Sequence, residues 1–256
     1  MKTPLSLNDL DQPGVAPPSS DALAIDEIWR ALEDVRDPEL DRSLPQLGFI
    51  RGVEVDQQAR VRVSIRLPTY WCAANFAFIM AEDARAALER LPWVREAVVA
   101  IEDHFSGDEI NRAIAAKLGF GAAFPAESGG DLTELRRIFR AKAFMRRQEK
   151  LLRRMMADGY SAEELARLSE DGLERIDLND GDGGRLRADY LAIRLEFARG
   201  SDLAFVTAAG KPLDPDKFNA YIAELRRTTA NIEFNTAICE GLLKARSGVS
   251  SEPNSD

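Results

Sequence analysis

The most regular pattern in the chain runs from residue 61 to residue 72 and reads Val61-Arg62-Val63-Ser64-Ile65-Arg66-Leu67-Pro68-Thr69-Tyr70-Trp71-Cys72. Its first seven residues alternate between apolar and polar side chains, which predicts a β-strand with one buried and one solvated face. Pro68 ends the alternation, and an amphipathic pattern with helical spacing begins soon after Cys72. The stretch therefore predicts a strand, a loop that carries a thiol, and a helix.

Cys72 is the leading candidate for a functional residue because of this position. The N-terminal end of a helix favours negative charge and can stabilise a thiolate, which is the form that binds iron or attacks electrophiles. The alternative is that Cys72 is a small buried core residue, as many free cysteines are.

The neighbouring segments extend the pattern in both directions. We predict a helix from Asp21 that ends at Asp37-Pro38, and a strand over residues 49–55 that pairs with residues 61–67 as a hairpin. A helix over residues 76–91, a third strand near residues 98–101 and a helix opened by the capping-box spacing of Ser106 and Glu109 follow. The order predicts an α+β fold, an α-β-β-α-β-α sandwich with its helices on one face of the sheet.

Residues 119–130 are rich in Gly, Ala and Pro and indicate a boundary. Beyond it we predict a helix capped by Asp131 that reaches about residue 157, a short helix opened by Ser161 and Glu164, and a long helix from Asp214-Pro215. We therefore expect a disordered tail over residues 1–20, an α+β domain over 21–125, a mainly helical accessory domain over 131–246, and a tail over 247–256.

Composition limits the classes of function. The formal charge of −9 argues against broad nucleic-acid binding, which depends on Lys and Arg neutralising phosphates. The two cysteines, Cys72 and Cys239, lie far apart in sequence, which suits a reducing compartment. We find neither an apolar run that could span a bilayer nor a signal-peptide pattern, so we expect a cytoplasmic protein without a membrane partner.

Four short motifs then give a family resemblance. They are Asp37-Pro38-Glu39-Leu40, Leu47-Gly48-Phe49-Ile50, Thr69-Tyr70-Trp71-Cys72 and Leu91-Pro92-Trp93-Val94. In order and spacing, residues 21 to about 105 resemble the iron–sulfur assembly domain of SufT-like and PaaD-like bacterial proteins and of eukaryotic cytosolic cluster-targeting factors. The chain departs from that family at Gln46, at Ala73 and at residues 102–105, and it has no downstream cysteine cluster. The second half resembles no family that we can name.

The resemblance implies that Cys72 is a transient ligand of iron or of an iron–sulfur cluster, and that Asp37, Glu39 and Thr69 belong to its supporting loop. Asp37 has the alternative role of capping the turn after the first helix. A cluster normally needs about four thiolate or equivalent ligands, so one cysteine cannot hold it alone. A homodimer, other side chains or a client protein would complete the ligand set. This favours transfer of a cluster over a permanently bound redox cluster.

Two further clusters are candidate sites. His104, the single histidine, and Asp108 supply nitrogen and oxygen ligands that suit non-haem iron, although Ser106, Asp108 and Glu109 also serve simply to cap and charge a helix start. A basic helix face offers a docking surface for an acidic partner, or else a solvated face, and it contains Arg136, Arg140, Arg147, Lys150 and Arg154. Cys239 lies on an apolar stripe of the last helix, which predicts a buried structural cysteine.

These observations predict an assembly or delivery factor that matures a client metalloprotein, in contact with the client and with cluster-assembly machinery. The alternative is a dedicated chaperone or scaffold for an oxygenase-type non-haem iron enzyme, which binds through the helical half and carries no cluster. We expect no enzymatic activity of its own, because no base is paired in sequence with a nucleophile.

Overall fold

The computed structural model describes residues 21–126, 132–178 and 181–248. The predicted tails lie outside the described residues, apart from Ser247 and Gly248, which end the last helix. The predicted cap at Asp131 and part of the predicted boundary, residues 127–130, also lie outside them.

The chain forms two compact units. The first contains residues 21–37, Arg42–Leu132 and the chain from Glu240 onward, and the second contains Pro38–Asp41 and Thr133–Cys239. Each unit therefore includes a short segment that is distant in sequence from the rest of it. The division into domains at 21–125 and 131–246 stays a prediction.

The elements of the first unit follow the predicted order. They are α1 (Asp21–Glu33), β1 (Ile50–Val55), β2 (Arg60–Arg66), α2 (Ala74–Glu89), β3 (Glu96–Glu102), α3 (Gly107–Ala115) and the short α4 (Phe120–Ala123). The strands form one sheet in the order β1-β2-β3, with β1 antiparallel and β3 parallel to β2. This confirms the hairpin and the α+β class.

The alternation in β2 separates a core face from a wet face. Val61, Val63 and Ile65 are fully buried, whereas Arg60 and Arg62 are exposed. α1, α2 and α3 pack against the strands and account for the burial of the apolar face. The period of two in the sequence therefore decides which side of the sheet faces the core.

The second unit is mainly helical across its described residues, with isolated β-bridges at Ser169↔Leu203 and Val206↔Pro212. Its helices are α5 (Thr133–Ala157), α6 (Ala162–Arg167), α7 (Glu170–Arg175), α8 (Asp182–Ala198) and α9 (Phe218–Gly248), the last of which continues into the first unit from Glu240. Ser161 and Glu164 form the predicted capping box at the start of α6. A single 3₁₀ turn, Pro215–Lys217, leads into α9, and the Asp214 side chain accepts a hydrogen bond from the Asp216 N–H at 3.1 Å.

The sequence analysis missed α8, and the reason is the charge pattern of this helix. Arg194 lies on its inner side and is 1% exposed, whereas Leu195 points outward and is 74% exposed. Arg194 donates to the carbonyls of Ala204 and Leu203 and to a Glu170 carboxylate oxygen at 2.5 Å. A buried arginine beside an exposed leucine removes the amphipathic signal that predicts a helix.

A buried ion pair anchors the start of the second unit. The Arg147 guanidinium donates to both carboxylate oxygens of Asp41, at 2.9 Å and 2.5 Å, and to the carbonyl of Asp189 at 3.0 Å. Arg147 is 7% and Asp41 3% exposed. Asp41 also has a left-handed backbone, with φ of 49°, so the pair holds the short Pro38–Asp41 segment in a restricted conformation.

Replacing Arg147 by Met should lower the free energy of unfolding by about 3 kcal/mol, because it leaves a buried carboxylate without its main partner. Arg146, 3.5 Å from Asp41, replaces that partner only in part. Urea unfolding followed by far-UV circular dichroism measures the change. Arg137→Met is the matched control, since Arg137 pairs with Glu134 on the exposed surface of the same helix and should change stability little. Equal stability of the two variants would contradict this role of Arg147.

Candidate functional site

The candidate site lies at the edge of the sheet where β2 and β3 end. These strands are parallel and aligned from Arg60↔Glu96 to Arg66↔Glu102, so their carboxyl ends leave the sheet side by side. The loop after β2 carries Cys72, and the loop after β3 carries His104. The sheet thus brings together two residues separated by more than thirty positions in the chain.

The Cys72 loop ends directly at the start of α2. Ala73 is the N-cap residue, with an extended backbone and no side-chain cap hydrogen bond, and the helix begins at Ala74. Cys72 is half-buried and free of any disulfide. Its Sγ lies 3.3 Å from the Thr69 hydroxyl, so the predicted loop residue Thr69 does contact the thiol.

His104 holds this loop through the backbone. Its Nε2 lies 2.8 Å from the Cys72 carbonyl oxygen, and its Nδ1 accepts a hydrogen bond from the Ser106 N–H at 3.1 Å. These partners require a neutral ring with its proton on Nε2. Burial lowers the pKa of His104, the Cys72 carbonyl opposes that shift, and the nearby charge of Arg246 adds to it. The neutral ring is therefore the form that fits the loop.

Ser106 corrects one prediction from the sequence. It is the N-cap residue of α3, but its side chain makes no cap hydrogen bond, so the predicted capping box is wrong. The backbone of Ser106 has φ of −109° and ψ of 22°, away from the extended conformation that a capping side chain needs. Its N–H is engaged with His104 instead.

Three exposed aromatic side chains border Cys72. Trp71 makes an edge contact with Tyr70 and stacks on Phe105 with a centroid distance of 5.6 Å. Trp71 is 75% exposed, and the other two rings are 43% and 44% exposed. The Phe105 N–H also donates to the Tyr70 carbonyl at 3.1 Å, which joins the two loops a second time. The adjacent pair Tyr70-Trp71 beside Cys72 is the sequence signal for this patch.

The two remaining predicted loop residues, Asp37 and Glu39, have contacts of their own. Asp37 is 7% exposed, and its N–H donates to the Arg42 carbonyl at 2.9 Å. Glu39 belongs to the second unit, where its side chain accepts a hydrogen bond from Asn235 at 3.0 Å. Their role in support of Cys72 stays a prediction.

The residues of the predicted acidic and histidine cluster lie where β3 leads into α3. Both ring nitrogens of His104 are engaged in hydrogen bonds, so the ring supports the loop. Across residues 21–126, 132–178 and 181–248, no group of three or more His, Cys, Asp and Glu side chains is placed to hold a metal ion. Ligation by His104 and Asp108 stays a prediction. No helix in the same ranges is long and apolar enough to cross a membrane.

Much of the predicted docking surface on α5 has interactions within the chain. Arg140 pairs with Glu196, Arg147 is buried against Asp41, and Arg154 pairs with Asp158 at 2.9 Å. The Lys150 ammonium lies 4.0 Å from Glu233, and Arg136 also has a partner within the chain. Partner binding through this face stays a prediction.

Cys239 differs from its predicted environment. It is half-buried rather than buried, and the neighbouring Ile238 and Leu242 are 45% and 43% exposed. The apolar stripe on α9 is wider than the buried face of that helix, and the sequence pattern alone does not separate the two.

Comparison with known proteins identifies the part of the chain that contains Cys72. Residues 25–100 match the family described as iron–sulfur cluster assembly protein. An uncharacterized protein from Methanocaldococcus jannaschii, MJ1129, is 30% identical over 92 residues, which are 36% of this chain and 95% of that protein. The Fe-S protein maturation auxiliary factor YitW of Bacillus subtilis is 29% identical over 96 residues, which are 37% of this chain and 92% of YitW.

Lowering the pH from 7 to 5 should reduce the contribution of His104 to stability. The pKa of a histidine in the unfolded chain is about 6.5, and that of folded His104 is lower, so the unfolded state binds the proton first. The contribution is complete above about pH 6.5 and is lost as the pH falls through the folded pKa. We expect the difference in free energy of unfolding between the wild type and His104→Gln to shrink over this range. Both proteins contain the same carboxylates, so the titration of these groups cancels in the difference. A difference in free energy of unfolding that stays constant with pH would contradict the role of a neutral His104.

Proposed function

Because the chain belongs, through residues 25–100, to the iron–sulfur cluster assembly protein family, we propose that it matures a client metalloprotein with Cys72 as a transient ligand of iron or of an iron–sulfur cluster. The role in iron–sulfur assembly follows from the family. The ligand, the cargo and the client are the new parts of the proposal.

The observation that carries the proposal is the environment of Cys72. The thiol is half-buried in a loop whose backbone is fixed by His104, and it lies immediately before the first turn of α2. A ligand that must both bind and release needs a defined position and access from solvent. A buried structural cysteine would lack that access.

A single thiol supports transfer rather than storage. A cluster takes about four ligands, and the described ranges assemble no further set of candidate ligands around Cys72. In our proposal the donor or the client supplies the remaining ligands while Cys72 supplies one. A shared cluster between two copies of the chain would meet the same requirement.

The aromatic patch of Tyr70, Trp71 and Phe105 supports contact with another protein. Exposed clusters of large apolar side chains are typical of interaction surfaces, and this one adjoins the thiol. A client metalloprotein or a component of the assembly machinery that exchanges cargo with Cys72 must approach this surface. We place the exchange in the cytoplasm, where thiols remain reduced.

Anaerobic incubation with ferrous iron and sulfide tests the ligand. With the remaining ligands supplied by a second copy of the chain or by an added small thiol, we expect a cluster signal in absorption and Mössbauer spectra of the wild type, and a loss of most of that signal in Cys72→Ala. The chain has one other cysteine, so Cys239→Ala is the matched control and should keep the signal of the wild type.

An undiminished signal in Cys72→Ala would contradict the proposed ligand. Circular dichroism of all three proteins in the absence of iron confirms that the substitutions leave the fold intact. No signal in any of the three would favour the chaperone alternative, in which the chain binds its client without carrying a cluster.

A further inference from the structure

The end of α9 packs within the first unit, far in sequence from the residues that match the family. Glu240 forms an ion pair with Arg42. The Leu243 side chain reaches the turn at Gly48, and a Cβ added to that glycine would lie 3.5 Å from Leu243 Cδ2. Arg246 follows three residues later, so these three side chains share one face of the helix. That face lies along the first unit near the candidate site.

Arg246 joins the two loops that form the site. Its Nη1 donates to the Leu67 carbonyl at 2.7 Å, and its Nη2 donates to the Asp103 carbonyl at 2.8 Å and to the Asp103 carboxylate. Leu67 is the first residue after β2, and Asp103 is the first after β3. One planar guanidinium therefore bridges the ends of two parallel strands, a geometry that the compact ammonium of lysine cannot reproduce.

The bridge also fixes the direction of His104. Asp103 has φ of 51°, in the left-handed region that L-residues seldom occupy. Arg246 holds this residue by both its carbonyl and its carboxylate, and the next residue, His104, donates to the Cys72 carbonyl. The side chain of Arg246 is 17% exposed and that of Asp103 is 55% exposed, so water competes less for the bond to Leu67 than for the bonds to Asp103.

We propose that Arg246 is a positioning residue of the Cys72 site, which acts through Leu67 and through Asp103–His104 to hold the thiol loop in place. The inference rests on the proposed function, because it assigns the C-terminal end of α9 to the same site. The site then extends beyond residues 25–100, and those residues alone do not complete it.

The test uses the full chain with Cys239→Ala, so that Cys72 is the only thiol. In this background we compare Arg246→Gln with Lys244→Gln, which removes the same charge from an exposed residue two positions away. The measurements are hydrogen exchange of the Phe105 and Ser106 amides, the rate of Cys72 alkylation by iodoacetamide, and urea unfolding. All three are made without iron.

Arg246→Gln should raise exchange of both amides by roughly tenfold or more, since it removes charge-assisted hydrogen bonds, and it should speed alkylation severalfold. Lys244→Gln should match the parent protein. Arg246→Lys should give an intermediate result, because lysine keeps the positive charge but lacks the planar set of N–H donors that reaches both carbonyls. If Arg246→Gln matches Lys244→Gln in both exchange and alkylation, the inference is wrong.

Asp103→Asn provides a second test of the same contact if Arg246→Gln fails to fold. It removes the negative charge that pairs with Arg246, leaves an amide oxygen that can still accept a hydrogen bond, and keeps the backbone carbonyl contact. It should shift exchange in the same direction by a smaller factor; no shift would overturn the inference. The iron-free measurements test the positioning role of Arg246, whereas the cluster signal of the wild type tests the proposed function. As a further readout, Arg246→Gln should reduce the yield of cluster signal, and Arg246→Lys should restore part of it.

Discussion

The parallel alignment of β2 and β3 is the constraint on which the candidate site depends. Because the strands run in the same direction and in register from Arg60↔Glu96 to Arg66↔Glu102, Leu67 and Asp103 leave the sheet at neighbouring positions. A shift of one residue would move the apolar side chains of a strand to the wet face and separate the two loops. Because the core of the first unit fixes the strand register, it also fixes the position of the Cys72 loop, although Cys72 itself lies outside that core.

Three interactions then join the loops across this edge. His104 holds the Cys72 carbonyl, the Phe105 N–H holds the Tyr70 carbonyl, and Arg246 joins Leu67 to Asp103. All three engage backbone carbonyls, and none uses the thiol. The backbone around Cys72 is thus held in place, while among the residues that the structure describes its Sγ has only the Thr69 hydroxyl within hydrogen-bond distance. Such an arrangement suits a ligand that binds and releases cargo without reorganising its own loop.

The second unit uses buried polar groups in a different way. Gln148 donates to the carbonyl of Val206 at 2.8 Å and to the Tyr190 hydroxyl at 3.1 Å, and the Tyr221 hydroxyl donates to Gln148 Oε1 at 2.5 Å. Burial raises the pKa of both tyrosines, so they remain protonated and able to donate. Together with Arg194 this network ties the segment around Val206 to helices α5, α8 and α9. Mutually satisfied buried groups of this kind specify one packing arrangement.

The sequence alone determined the local structure of the first unit. Alternation in residues 61–67 predicted β2 and its buried face, the short link to the strand over residues 49–55 predicted the hairpin, and the motifs around Asp37, Gly48 and Cys72 indicated the family. These features depend on neighbouring residues, for which periodicity and backbone preference are sufficient. The same local rules failed where a tertiary contact overrode them. Ser106 donates its N–H to His104 instead of forming the capping box, and the buried Arg194 hid α8.

Only the tertiary structure decided which distant residues meet. Nothing in the sequence pairs His104 with the Cys72 carbonyl, or places Arg246 between Leu67 and Asp103, because those contacts follow from strand register and helix packing over long separations. Likewise the basic pattern of α5 does not reveal that Arg147 is buried against Asp41. A sequence pattern records the preference of each segment for a buried or a wet face. The partner that a polar side chain finds there is set by how the segments pack together, and that packing decides the chemistry of the site.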